Sequence, residues 1–199
     1  MKRISLLLIT SIVVFAACNS STPKEEKPKP GIYTSLEVGW TIKIPQGFQS
    51  LSKSRIEANM QKGKEALNKV AEGKVETDGA INLVNFQKNQ FNSLFALIES
   101  CEDQERFLRN NQKVRKLIFD TYTNQEIKVD TLSGREEIAG QTFNTFYIKI
   151  YGPSGEVLMN QIMFNQFIRG YDFGVNINYN NETDKQTLLN AFKNSTFDK

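Results

Sequence analysis

The sequence predicts an α+β domain, a three-layer α/β/α sandwich with a largely antiparallel central sheet. Two observations lead to this fold class. First, segments in which apolar residues recur at helical spacing are separated along the chain by pairs of segments with strand-like alternation. Second, the run from Leu94 to Ile98 is apolar at every position, so that strand must be covered on both faces.

The first predicted elements are two short strands and a helix. The strands cover residues 31–38 and 40–44, and apolar side chains alternate along the second strand. Residues 45–47, Pro-Gln-Gly, end it. A helix follows from about Ser54 to Glu72, because apolar residues recur there at helical spacing.

The rest of the chain is predicted to be mostly strand, with two further helices. Apolar and polar alternation marks the strands, and capping residues mark the helix ends. The strands are placed at 80–87, 91–100, 127–137, 141–151, 156–168 and 171–179, and the helices at 102–122 and 183–194.

The N-terminus predicts export and lipidation. Two basic residues precede an uncharged stretch from Ile4 to Ala17, which is too short to span a bilayer, since a span needs ~20 apolar residues. A positive start, a short apolar core and small residues at its end are typical of a secretory signal. Because Cys18 follows directly, the segment resembles a bacterial lipobox. We therefore expect residues 1–17 to be a signal peptide and Cys18 to carry lipid; the alternative is a buried N-terminal helix.

The segment after Cys18 predicts a flexible tether, because residues 19–30 contain no large apolar side chain.

The charges of the predicted domain balance. Five of the 25 Lys and Arg residues and two of the 22 Asp and Glu residues precede Gly31, so residues 31–199 contain 20 basic and 20 acidic residues. A neutral domain has no general attraction for nucleic acid or a membrane surface. Residues 31–199 suit one globular domain, which we expect to be a monomer.

The chain contains no histidine. The chain therefore cannot form the usual Ser-His-Asp or Cys-His catalytic arrangement. It also lacks the commonest protein ligand of zinc, copper and iron. Glu136 and Glu137 are adjacent on a predicted strand and point to opposite faces, so they cannot act as a catalytic pair. We expect no catalytic residue, metal or cofactor.

Cys101 is either buried as a small apolar residue, the interpretation we favour, or exposed and able to cross-link.

The predicted helix at 102–122 carries a basic stripe opposite its apolar side. The stripe consists of Arg106, Arg109, Lys113 and Lys116. Such a stripe is usually a solvated face, which is the interpretation we prefer, but it is also a candidate surface for binding a partner.

Asparagines alternate with aromatic and aliphatic residues along the last predicted strand. In a sheet covered on both faces, Asn176 and Asn178 need hydrogen-bond partners. They are candidates for a polar ligand groove together with Tyr147 or Asn160; the alternative, which we favour, is that they face solvent at an edge.

Two motifs make the chain similar to the PsbP-like α/β/α sandwich family. One is the opening Trp-Thr-Ile-Lys-Ile-Pro-Gln-Gly-Phe at 40–48. The other is the close, where Gly-Tyr-Asp-Phe-Gly-Val at 170–175 leads to Leu188, Leu189, Phe192, Ser195 and Phe197. The resemblance implies a binding or assembly role, as in the family's extrinsic photosystem subunit, Ran-GTPase-binding import factor and envelope lipoproteins. Metal binding by some photosynthetic members does not carry over, because the histidines are absent.

Two classes of function remain open. The first, which we favour, is a lipid-anchored, non-catalytic module that binds a protein or another envelope component. The second is a small-ligand binder or a hydrolase that works from carboxylates in the polar groove of the last strand. Asn19 after the lipidated cysteine favours the outer membrane if the source is Gram-negative.

Replacing Cys18 tests the lipoprotein hypothesis. We expect Cys18→Ala to yield a soluble or uncleaved protein without lipid, because the sulfur that would form the thioether is gone. Metabolic labelling with a radioactive fatty acid measures this directly, with the wild type as the positive control. Label that persists on the variant would contradict lipidation at this residue.

Overall fold

The structure is a computed structural model, which describes residues 31–68 and 79–198. The predicted signal peptide, Cys18 and the predicted tether lie outside the described residues, as does the last part of the first predicted helix. Within the described ranges, no helix is both long enough and apolar enough to cross a bilayer.

The described residues form ten strands and three helices. In chain order they are β1 Ile32–Ser35, β2 Trp40–Lys43, β3 Gln49–Ser50, α1 Lys53–Asn68, β4 Ala80–Asn89, β5 Asn92–Ser100, α2 Gln104–Asn124, β6 Val129–Ile138, β7 Gln141–Tyr151, β8 Val157–Ile168, β9 Tyr171–Tyr179, α3 Glu182–Lys193 and β10 Thr196–Phe197. The predicted strands and helices are present, with bounds that differ by a few residues. The two-residue strands β3 and β10 were not predicted, because so short a segment shows no alternation.

Seven strands form the central sheet in the order β3-β4-β5-β9-β8-β7-β6, and every neighbouring pair is antiparallel. The strand β9 therefore lies in the middle, between β5 and β8. β1, β2 and β10 form a separate small antiparallel sheet. The predicted fold class, an α+β sandwich around a largely antiparallel sheet, is confirmed.

Different elements cover the two faces of the central sheet. α2 covers one face, where Val114, Ile118 and Tyr122 pack with Phe95 and Leu97 of β5, and α1 packs against α2. α3 and the small sheet cover the other face. A helix therefore lies on each face, as predicted, and the small sheet beside α3 is an addition that was not predicted.

Trp40 anchors the layer formed by α3 and the small sheet. It is fully buried, and its ring centroid lies 5.1 Å from that of Phe173 and 6.2 Å from that of Phe192. Its indole Nε1 donates a 2.8 Å hydrogen bond to Ser195 Oγ. A buried indole needs such a partner, so this bond ties β2 to the segment that follows α3.

The run from Leu94 to Ile98 is buried on both faces, as predicted. Leu94, Ala96 and Ile98 join the core on the α3 side, whereas Phe95 and Leu97 join the core under α2. Because alternate side chains point to opposite faces, this one strand contributes apolar residues to the core on each side of the sheet.

Substitutions at Leu97 and Arg109 test this architecture. Leu97 is 2% exposed, so Leu97→Asp buries an unpaired carboxylate; we expect a loss of several kcal/mol against a total of ~5–15 kcal/mol. The Arg109 side chain is 58% exposed, so Arg109→Asp should change the free energy of unfolding by no more than ~0.5 kcal/mol. Urea unfolding measures both changes. Equal losses in the two variants would contradict a doubly covered β5.

Candidate functional site

The basic stripe of α2 is largely neutralised by acids of the same helix or its start. Arg106 forms an ion pair with Glu102, and Arg109 Nη1 lies 3.1 Å from Glu105. Lys116 Nζ lies 2.6 Å from Asp120. The fourth residue, Lys113, is exposed. The stripe is on the surface, as predicted, but three of its four charges are compensated one helical turn away.

The structure does not bring the three candidate groove asparagines together. Asn160 lies opposite Tyr179 in the ladder between β8 and β9, so it shares the face of α3. Asn176 and Asn178 point to the other face and are buried there. The proposed groove of these three residues is therefore not formed, and the alternative, an exposed edge, is wrong because β9 is the middle strand.

Asn178 is satisfied within the sheet, whereas Asn176 is not. Asn178 Oδ1 accepts a 2.8 Å hydrogen bond from Gln161, and its Nδ2 donates to Ser93 Oγ at 3.1 Å. Asn176 is fully buried, and neither of its side-chain polar atoms has a partner among the described residues. Each such orphaned group costs roughly 1–3 kcal/mol.

Asn160 lines a shallow groove of about 280 Å³ with Tyr147, Tyr179 and the exposed Leu132. The Tyr147 hydroxyl donates a hydrogen bond to Glu136. Burial, together with that bond, raises the pKa of Tyr147 to about 12. The hydroxyl is therefore neutral at physiological pH and acts as a hydrogen-bonding group.

A buried carboxyl lies beneath α2. Asp172 is 1% exposed, and its oxygens accept long hydrogen bonds from Asn111 at 3.3 Å and Asn165 at 3.4 Å. Burial raises the pKa of Asp172 well above its usual range, although the bond from Asn165 opposes the shift. Within residues 31–68 and 79–198, Asn111 Oδ1 and Asn165 Oδ1 have no hydrogen-bond partner. The carboxyl is thus held by neutral amides.

Cys101 is buried, as the favoured interpretation predicted. Its Sγ lies 3.5 Å from the backbone oxygen of Asp103. Burial and the nearby Asp172 raise the pKa of the thiol. The thiolate that nucleophilic attack requires is therefore disfavoured.

A cleft of about 380 Å³ opens between α2 and the strands β6 and β7. Polar side chains dominate its wall, together with two arginines and one leucine. The lining residues are Leu108, Asn111, Gln112, Arg115, Ser133, Gly134, Arg135 and Asn144. None of these is acidic, so the cleft carries positive charge.

Arg115 is a half-buried residue of this arginine cleft. Its guanidinium carbon lies 5.5 Å from the centroid of the Phe146 ring, a cation–π contact. Its Nε is buried and has no hydrogen-bond partner in the part of the chain that the structure describes. Desolvation lowers the pKa of Arg115, so the folded domain holds this positive charge at a cost that an anion would offset.

Asn111 connects the cleft to the buried carboxyl. Its Nδ2 donates to Phe107 O at 3.2 Å and to Asp172 at 3.3 Å. These bonds orient the side-chain amide, which is only 4% exposed. Asn111, which is part of the cleft wall, is therefore held in place by its hydrogen bonds to the backbone of α2 and to the buried Asp172.

The sequence prediction missed Arg115 and Arg135, although one signal for Arg115 was readable. Arg106, Arg109 and Lys116 each have an acid four residues away, whereas Arg115 has Asn111 and Phe119 at those positions. A helical arginine without such a neighbour has no local counter-charge. Arg135 gave no comparable signal, because its place opposite Asn144 depends on the pairing of β6 with β7.

Comparison with known proteins identifies the fold. No protein-family model matches the chain, and no curated protein matches it in sequence. Among solved structures, it is similar to the solution structure of cyanobacterial PsbP (CyanoP) from Synechocystis, with a TM-score of 0.55 and 11% identity over 90% of this chain and 98% of that chain. The fold is therefore PsbP-like, which confirms the resemblance of the sequence motifs at the level of fold.

Within residues 31–68 and 79–198, no three His, Cys, Asp or Glu side chains come together as a candidate metal site.

The pH dependence of stability tests the state of Asp172. Between the ordinary Asp pKa of about 4 and the raised pKa of the folded state, the folded protein keeps a proton that the unfolded chain releases. We therefore expect the wild type to lose stability relative to Asp172→Asn as pH rises through that window, by about 1.4 kcal/mol per pH unit. Above the raised pKa the difference should stay constant.

Urea unfolding at a series of pH values measures this difference, with the exposed substitution Asp198→Asn as the control. A difference between the wild type and Asp172→Asn that is the same from pH 4 to pH 8 would contradict a buried neutral carboxyl.

Proposed function

We propose that this chain is a lipid-anchored protein of the bacterial cell envelope, and that its PsbP-like domain is a non-catalytic module that binds a protein or another envelope component. The anchor is supported by the sequence around Cys18, with its basic start, short apolar stretch and small residues before the cysteine. Asn19 favours the outer membrane if the source is Gram-negative.

The observation that carries the binding role is the arginine cleft between α2 and the strands β6 and β7. Arg115 and Arg135 line it without an acidic residue in the wall. A half-buried guanidinium with an unpaired Nε destabilises the folded domain. Natural proteins leave a buried polar group unpaired mainly at functional or strained sites. A bound ligand would supply the missing counter-charge.

A non-catalytic role is supported by the surroundings of the reactive side chains. Cys101 is buried with a raised pKa. Glu136 accepts a hydrogen bond from Tyr147, whereas its neighbour Glu137 accepts one from Thr142 at 3.3 Å. These groups serve as structural partners. The cleft offers hydrogen-bond donors and positive charge, which are the means to hold a ligand.

The competing hypothesis of a polar groove at the last strand has lost its main support. Asn176 and Asn178 lie beneath α2, on the opposite face from Asn160. A carboxylate hydrolase built on that strand would have to use Asp172, which is 1% exposed. We therefore place binding in the arginine cleft.

Capture of partners from membranes tests the proposal. The tagged full chain is purified from solubilised membranes after cross-linking, as the wild type and as two double variants that each remove two positive charges. One is Arg115→Gln with Arg135→Gln in the cleft; the other is Arg109→Gln with Lys116→Gln on the stripe. We expect the cleft variant to retain at least about tenfold less of the captured component, equivalent to ~1.4 kcal/mol.

The stripe variant is the matched control and should retain the component at the wild-type level, because its charges are already compensated within α2. Unchanged melting temperatures show that both variants fold. Equal retention by the two variants, or loss by the stripe variant alone, would contradict binding in the cleft.

A further inference from the structure

We infer that the arginine cleft takes an oxyanion, a phosphate or carboxylate group, carried on an organic ligand. The inference rests on the proposed binding function and deepens it by naming the class of ligand. Three features of the cleft lead to it: its charge, the residue type that supplies the charge, and its size.

Neither arginine of the cleft forms an ion pair with a residue in the described part of the chain. Other arginines there have partners: Arg106 and Arg109 pair with glutamates, and Arg169 donates to the backbone oxygen of Asp198 at 3.2 Å. Arg115 and Arg135 share a cleft whose wall contains no carboxylate. Two positive charges in a partly desolvated concavity attract an anion more strongly than the same charges on an open surface.

The residue type narrows the choice of anion. A guanidinium is planar and presents its N–H groups in a fixed fork, which matches the oxygens of phosphate and carboxylate. The guanidinium carbon of Arg115 lies 5.5 Å from the centroid of the Phe146 ring, and this cation–π contact restricts the position of the guanidinium. A side chain that is restricted before a ligand arrives loses less conformational entropy on binding.

Neutral side chains complete the wall around the arginines. Gln112, Ser133 and Asn144 carry amide or hydroxyl groups that can donate to further oxygens of the anion, whereas the side-chain N–H groups of Asn111 already donate to Phe107 and Asp172. Leu108, 42% exposed, adds an apolar contact for carbon atoms. The volume of about 380 Å³ lies in the range of small-molecule sites, roughly 300–1,000 Å³. It leaves room for more than a bare anion.

Such a group can come from a soluble metabolite or from the headgroup of an anionic lipid, and the recognition chemistry is the same. The two sources differ in how the group is presented. A soluble anion binds from solution in any detergent, whereas a headgroup binds only when the lipid is present in the micelle or bilayer.

Calorimetry with the full chain in dodecylmaltoside micelles tests the inference. One arm titrates inorganic phosphate and, separately, acetate. The other arm compares mixed micelles that contain phosphatidylglycerol with micelles that contain phosphatidylcholine. Each arm is repeated with Arg115→Gln plus Arg135→Gln and with the stripe variant Arg109→Gln plus Lys116→Gln.

We expect saturable binding in at least one arm, weakened at least about tenfold by the cleft variant and changed by less than about twofold by the stripe variant. Binding of phosphate or acetate without binding of phosphatidylglycerol supports a soluble source, and binding that requires phosphatidylglycerol supports a lipid source. Arg135→Gln alone, an exposed change on an edge strand, gives the same comparison if the double variant does not fold.

Two results would overturn the inference. One is an absence of saturable binding in both arms; the other is equal weakening by the cleft and stripe variants, which would indicate general charge attraction. If membrane capture still depended on the cleft residues in either case, the proposed binding function would stand and only the oxyanion would be wrong.

Discussion

The middle position of β9 is the constraint on which the rest of the structure depends. Both of its faces are covered, so a polar side chain along it is costly unless it finds a hydrogen-bond partner inside the protein, as Asn178 does and Asn176 does not within the described residues. On the α3 side, Phe173, Val175 and Ile177 meet this demand by packing. On the α2 side the strand carries polar residues, and Asn178 bonds within the sheet. The Asp172 carboxyl accepts hydrogen bonds from Asn165 of β8 and from Asn111 of α2, and the second bond connects α2 to β9.

The aromatic layer on the opposite face joins the two ends of the described domain. Trp40 packs on Phe173 of β9 and on Phe192 of α3, and it bonds to Ser195. These residues belong to the two motifs that resemble the PsbP-like family. Their contacts explain why short motifs so far apart in the sequence are informative about the fold: they form one packing unit, which a change at either end would disturb.

The basic residues of α2 have two different roles, depending on whether an acidic residue lies one helical turn away. On the exposed side of the helix, acids one turn away neutralise the stripe, and pairs of this kind contribute little to stability or to long-range attraction. Arg115 has no such acid and lies beside the sheet, where desolvation makes its charge more costly and more useful for binding. The arginine cleft therefore follows from packing α2 across β6 and β7, with Asn111 held from behind by Asp172.

The sequence by itself determined the number, type and approximate bounds of the main elements, and it identified a strand covered on both faces. Periodicity is a local property, so runs such as Leu94 to Ile98 report their own burial. Only the tertiary structure decided that Asn160 and Asn176 lie on opposite faces, that β2 pairs with β10, and that Arg115 meets Arg135 across a cleft. These outcomes depend on strand order and on contacts between residues far apart in the chain, and neither spacing nor composition contains that information.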